Sequence, residues 1–277
     1  MPRSCTSRLA FLRRAAPPVL LLWLAACGPI TVSQERRLGY EFEYAMRREL
    51  VFVHDRVVTE YVNDMGAQLV RAAGSQPFDY RFYVVDDDEI NAFAGPAGHI
   101  YVHSETILKA RNASELAGVI AHEIGHVALR HIANNYNRQR NTKIGRDILV
   151  AGASIFGGGG MGSVAQLGSG LAAMAYLNNF GREAELEADA FAVKVVSGAG
   201  YDPNGLVTFL QTLMRETQGQ PQAPGFLSSH PATSDRIEST SAAIEALPSA
   251  VGLRVNDGGK LEIIQRRIEL LVGYHGR

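Results

Sequence analysis

The sequence predicts an α+β fold that is predominantly α-helical. Apolar residues recur at three- and four-residue spacing over several long segments, while aromatic and β-branched strand signals are confined to residues 80–103. With 277 residues, 46% of them hydrophobic, the chain has ample apolar material for the core of one large domain. Its 27 Lys and Arg against 28 Asp and Glu leave no basic excess, which argues against a nucleic-acid partner.

The first 26 residues stand apart. Arg3, Arg8, Arg13 and Arg14 form a positive region, and Ala15 to Ala26 gives a short apolar run ending in small residues. This reads as a secretory signal, too short to span a bilayer. Leu24-Ala25-Ala26-Cys27 resembles a bacterial lipobox, which implies lipidation of Cys27 and membrane anchoring through it. Gly28, rather than Asp, follows the cysteine, and by resemblance to sorted lipoproteins this favours the periplasmic face of the outer membrane. Loss of four arginines leaves 23 Lys and Arg against 28 Asp and Glu, a net charge of −5 for the mature chain. Cys5 leaves with the signal, so no disulfide remains.

Residues 27–32 read as a tether, and 33–277 as a single domain. Helical periodicity runs from Ser33 to about Gly74, through Leu38, Phe42 and Ala45 and then Val58, Val62, Met65 and Leu69. Residues 80–85 read as a strand and Asp86 to Glu89 as a solvated turn, because their spacing lacks the alternation and glycine of a calcium loop. Asn91 to Ala94 reads as a short strand, Gly95-Pro96-Ala97-Gly98 as a turn, and His99 to His103 as the return strand. Together these predict one small antiparallel sheet.

A long helix begins near Asn112, which forms a capping-box pattern with Glu115, and runs to about Tyr136. The glycine-rich apolar insert 148–181 carries no charge from Ile148 to Gly181. Its four consecutive glycines divide it into pieces too short to cross a bilayer. Further helices are expected at 182–196, 206–217, 234–246 and 261–272, with a loop over 218–229.

The chemistry is concentrated in His122-Glu123-Ile124-Gly125-His126. On a helix His122 and His126 stand one turn apart on one face and can reach one metal, while Glu123 can hold a water beside it. A catalytic zinc needs a third protein ligand and an open position. Helix 182–196 offers the best donor. Glu185 and Asp189 share a face with Ala192 and Val196, so Glu185 is assigned as metal ligand and Asp189 as acceptor for a histidine N–H. Glu183 and Glu187 fit a solvated acidic helix start, with Glu187 pointing away. His131, five residues past His126, is rotated off the metal face and expected at the surface. His54, His99, His103 and His275 have no ligand spacing to the site.

The HEIGH motif followed by Glu185-x-x-x-Asp189 resembles the zinc metallopeptidase family that includes HtpX and the CAAX prenyl proteases. Periplasmic BepA- and LoiP-like and mitochondrial Oma-type members look most similar. Asn91-Ala92-Phe93-Ala94 with the Gly95–Gly98 turn, Asp202-Pro203, and His230-Pro231 with Asp235-Arg236-Ile237 extend the likeness over about residues 39–243. The resemblance implies a zincin-like (gluzincin) fold, one Zn²⁺ per chain held by His122, His126 and Glu185, and Glu123 as base. It implies that Asn91, Ala92, Phe93 and Ala94 pair with an extended substrate. It also implies that His230 and Arg236 lie near the metal, either as donors to the oxyanion or, for His230, as a fourth ligand that keeps the enzyme latent.

The function implied is a membrane-anchored zinc endopeptidase acting on misfolded or stalled envelope proteins, in contact with outer-membrane assembly machinery. The alternative is a zinc-binding chaperone or assembly factor with little proteolysis.

Overall fold

Asp55 and Asn112 begin the two helices on which the rest of the fold is built. In the computed structural model, which describes residues 29–139, 178–216, 225–231, 233–248 and 252–274, each caps its helix by accepting backbone N–H groups. The signal segment 1–26, Cys27 and nearly all of the insert 148–181 lie outside the described residues.

Helix α1 (Val32–Glu49) starts in a full capping box between Thr31 and Gln34. The periodicity over 33–74 is divided between α1 and α2 (Arg56–Ala72), because the intervening backbone pairs with the sheet instead. Val53 N–H donates to Val84 at 2.9 Å and Asp86 N–H to Val51 at 2.8 Å.

The sheet contains β1 (Arg81–Val85), β2 (Ala92–Ala94) and β3 (His99–His103) in the order β1-β3-β2. The β2–β3 hairpin is antiparallel, with Phe93 opposite Tyr101, as its turn requires. The sheet as a whole is mixed, however, because β1 pairs parallel to β3. Residues 86–91 carry the chain past β3 to the far edge, so β3 returns between the two in the direction of β1. The connecting turn has Ala97 at φ 60° and Gly98 at φ +97°, both left-handed. Helix α1 lies directly on this turn, since a Cβ at Gly39 would stand 2.7 Å from the Pro96 carbonyl.

After a short unforeseen helix, α3 (Ser104–Lys109), comes α4 (Ala113–Ala128), buried over nearly its whole length. It packs against β2 and β3, against α6 (Arg182–Gly198) and against α7 (Asn204–Glu216). Glycines allow the approach: a Cβ at Gly118 would meet Leu206 backbone at 3.0 Å, and one at Gly125 would meet Ala188 backbone at 3.2 Å. Glu115 does not close a reciprocal box on Asn112. Its carboxylate accepts from the Arg111 N–H and side chain and from Thr208 Oγ1.

The long helix expected over 112–136 is two. Arg130, at φ 58°, ends α4, and α5 (His131–Gln139) leaves in a new direction. The expected 218–229 loop contains a short helix, α8 (Gly225–Ser229). Helices α9 (Ser234–Glu245) and α10 (Lys260–Tyr274) complete the described chain. No helix among the described residues is long and apolar enough to cross a membrane.

Candidate metal and active site

Four side chains converge on one point inside the protein. His122 and His126, one turn apart on α4, bring their Nε2 atoms to 3.0 Å. Glu185 on α6 places Oε2 3.4 Å from His122 Nε2 and Oε1 3.4 Å from His126 Nε2. His230, just beyond α8, places Nδ1 2.9 Å from Glu185 Oε1 and 3.4 Å from His122 Nε2. All four residues are buried.

This donor set fits a zinc ion. Tetrahedral ligands about 2.0–2.1 Å from one ion stand about 3.3–3.4 Å from each other, close to the separations found. The charge also fits. Among the described residues Glu123, Glu185 and Asp189 face one buried guanidinium, Arg236, and a buried excess of carboxylate favours a bound cation.

The titration of the cluster tells the same story. Burial opposes a proton on His122, yet Asp189 and Glu185 lift it to about 9. Burial and then His122 hold His126 well below its ordinary range. Burial would raise Glu185, but His230 and His122 hold it far below the carboxylate range. A proton is thus favoured on His122 and opposed on His126.

Glu123 is fully buried on the same helix, and neither carboxylate oxygen has a hydrogen-bond partner among the described residues. Burial pushes its carboxyl up, with His230 partly opposing. His230 Nε2 stands 3.6 Å from Glu123 Oε1.

Around the donors lies a fixed frame. Arg236, in the first turn of α9, grips Asp189 with two parallel bonds, Nε to Oδ2 and Nη2 to Oδ1, both 2.7 Å. Its Nη1 reaches Glu185 Oε2 at 2.9 Å and the carbonyls of His230 and Pro231 at 3.2 and 3.3 Å. Asp189 Oδ1 in turn stands 2.8 Å from His122 Nδ1. Burial raises Asp189, but Arg236 and His122 bring it below its ordinary value.

Residues 57–244, a span that includes every donor of this cluster, match the model of Peptidase family M48. The chain belongs to peptidase family M48, a family of metallopeptidases. It is 31% identical over 219 residues to the Beta-barrel assembly-enhancing protease of Escherichia coli strain K12, covering 77% of this chain and 44% of that one. It is 31% identical over 181 residues to Metalloprotease LoiP of the same strain, covering 65% of this chain and 67% of LoiP. Over 179 residues it is 28% identical to Mitochondrial metalloendopeptidase OMA1 of Schizosaccharomyces pombe, covering 65% of this chain and 51% of that one. The chain thus spans less than half the length of the first of these relatives.

The M48 chain places Asn91 to Ala94 beside the donor helix. Residues 92–94 are the edge strand β2, packed on α4, with Phe93 stacked on Tyr101 at 4.8 Å. Asn91 supports the hairpin through its carbonyl, which accepts from His103 N–H at 3.0 Å and Thr106 Oγ1 at 2.6 Å. Phe226 N–H donates to the Ile90 carbonyl at 3.1 Å, so the strand entry and the His230 segment are tied together.

His131 was expected at the surface and is instead buried against the site. Its Nδ1 lies 3.1 Å from His126 Nδ1, and its Nε2 lies 3.0 Å from Glu187 Oε2. The left-handed Arg130 is the reason, since it turns α5 back and brings the ring to His126. Glycine or asparagine ordinarily marks such a break, and Arg130 carries no such signal. Phe180, stacked on His126 at 3.9 Å, was also not foreseen.

Proposed function

We propose that this M48 metallopeptidase is a zinc endopeptidase that cuts extended or misfolded envelope proteins. The observation that carries this reading is the buried convergence of His122, His126, Glu185 and His230 at ligand spacing beside the carboxylate of Glu123, which has no hydrogen-bond partner among the described residues. His122, His126 and Glu185 are read as the resident ligands of one Zn²⁺ per chain. When bound, zinc acidifies water and polarises the scissile carbonyl. Glu123 takes the proton of the attacking water and passes it to the leaving amine. Its raised affinity for a proton suits that exchange.

The strand β2, which is terminal in the sheet among the described residues and is buried, is read as the seat of the substrate, paired main chain to main chain. Only a locally unfolded segment has backbone free for this, which supports a quality-control role. The name of the Beta-barrel assembly-enhancing protease supports an outer-membrane setting. Lipidation of Cys27, after removal of residues 1–26, would hold the enzyme at the periplasmic face of that membrane, near the assembly machinery.

Arg236 is read as a positioning residue, because all three of its nitrogens are engaged by Asp189, Glu185 and backbone carbonyls. His230 is read as an additional donor that completes the set and keeps the enzyme latent. Its Nδ1 lies among the ligand atoms, and its Nε2 faces Glu123.

The test is Glu123→Gln against wild type. Cleavage of casein is expected to fall about 10²–10⁴-fold with zinc content unchanged. If the variant loses cleavage but restores growth fully under envelope stress, a zinc-binding chaperone takes the place of the peptidase in this biology.

A further inference from the structure

His122 and His126 are supported differently. Behind His122 stands a buried carboxylate, Asp189, in direct contact at 2.8 Å. Behind His126, among the described residues, stands a second imidazole in place of a carboxylate. His131 Nδ1 is 3.1 Å from His126 Nδ1, and Glu187 Oε2 receives the other end of His131 at 3.0 Å. From this geometry we infer that His131 is a positioning residue for the metal site, relaying a carboxylate's hold on His126 across one extra ring.

The protons admit one arrangement. His126 Nε2 faces the other donors, 3.0 Å from His122 Nε2 and 3.4 Å from Glu185 Oε1, so it must present a lone pair to hold a metal. A neutral imidazole carries one N–H, which therefore sits on His126 Nδ1. That N–H donates to His131, whose Nδ1 must be the acceptor. The proton of His131 then sits on Nε2 and is donated to Glu187 Oε2. Each contact is satisfied, and each ring has one defined tautomer. The chain Glu187, His131, His126 does for the second histidine what Asp189 does alone for the first.

The backbone enforces this arrangement. Five residues beyond His126, an unbroken helix would turn His131 about 140° away. Arg130 in the left-handed region removes that rotation, and its side chain is locked. Nε and Nη2 reach Glu35 Oε2 at 3.0 and 2.8 Å, and Nη2 also donates to the Ile30 carbonyl at 2.8 Å. Glu35 is itself a buried residue in the first turn of α1. The strained residue and its buried partner serve to present His131.

The inference rests on the zinc reading above, and its test separates the two. Purified wild type, His131→Phe, His131→Gln and Glu187→Gln are loaded with Zn²⁺, and zinc loss to a competing chelator is followed. The melting temperature is measured on the metal-free forms. Phenylalanine fills the space without accepting a proton, and is expected to weaken zinc retention roughly 10–100-fold with the metal-free melting temperature unchanged. Glutamine, which accepts and donates, is expected to recover part of the loss. Glu187→Gln, at an exposed carboxylate, is expected to lose less than His131→Phe. Equal zinc retention in wild type and His131→Phe overturns the relay, as does a loss in His131→Phe that glutamine does not relieve and the metal-free melting temperature shares. A wild type that binds no zinc overturns both the relay and the zinc reading beneath it.

Discussion

Asp189 is shared between Arg236 and His122: one oxygen, Oδ1, lies 2.7 Å from Arg236 Nη2 and 2.8 Å from His122 Nδ1. The guanidinium holds both carboxylate oxygens and so fixes Oδ1 beside the imidazole. Arg236→Lys keeps the charge but loses the two-pronged grip. It is expected to destabilise the fold by about 1.5–3 kcal/mol, the scale for losing a hydrogen bond to a charged group, and to lower bound zinc. Urea unfolding and zinc content check both.

His230→Ala is expected to raise casein cleavage without lowering zinc content. The imidazole stands 2.9 Å from Glu185 Oε1, within the ligand atoms, and its removal opens a position beside them. A fall in kcat at constant KM would instead assign His230 to the transition state.

Gly125→Ala is expected to loosen the site from behind. Its Cβ would meet the Ala188 Cα and carbonyl at 3.2 Å, on the turn of α6 between Glu185 and Asp189. Alanine favours a helix over glycine by about 1 kcal/mol, but overpacking against backbone costs about 1–3 kcal/mol. The net result expected is a lower melting temperature and faster zinc loss to a chelator.

His99 predicts acid sensitivity away from the metal. Burial lowers it to about 4 despite Glu43 nearby, against 6.5 in an exposed histidine. Between those values the unfolded chain binds a proton that the folded chain refuses, so stability falls as pH drops from 6.5 towards 4. The size is at most about 3 kcal/mol. His99→Phe, which retains stacking on Tyr83, should remove that part of the slope. Urea unfolding of both proteins at pH 7 and pH 4.5 measures the difference.

Glu43 lies against Arg47, Tyr83 and His99 at the same place, so the slope reports on the α1–sheet contact rather than on the metal cluster. A slope that does not change in His99→Phe would assign the acid sensitivity to other buried groups.

The legible part of the site is the part written on helices. His122 with His126, and Glu185 with Asp189, are four residues apart, and a helix turns that spacing into a shared face whatever the tertiary structure. Family resemblance, not spacing, singled out His230 and Arg236, because they sit on a loop and a helix start where no period operates. The hairpin from Asn91 to His103 was legible from its turn, but the parallel pairing of β1 depends on a chain path that alternation does not encode. His131 was misplaced by the periodicity argument itself, which carried α4 straight through Arg130.

The donors are brought together from distant parts of the chain: His122 meets His230 at a separation of 108 residues, and Arg236 meets Asp189 at 47. Such contacts form only after long loops close, among the slower events in folding. A chain being made therefore carries its HEIGH helix long before it has a working centre. Any metal these donors hold is bound late, and under the function proposed above the chain cannot cut unfolded backbone while it is itself unfolded.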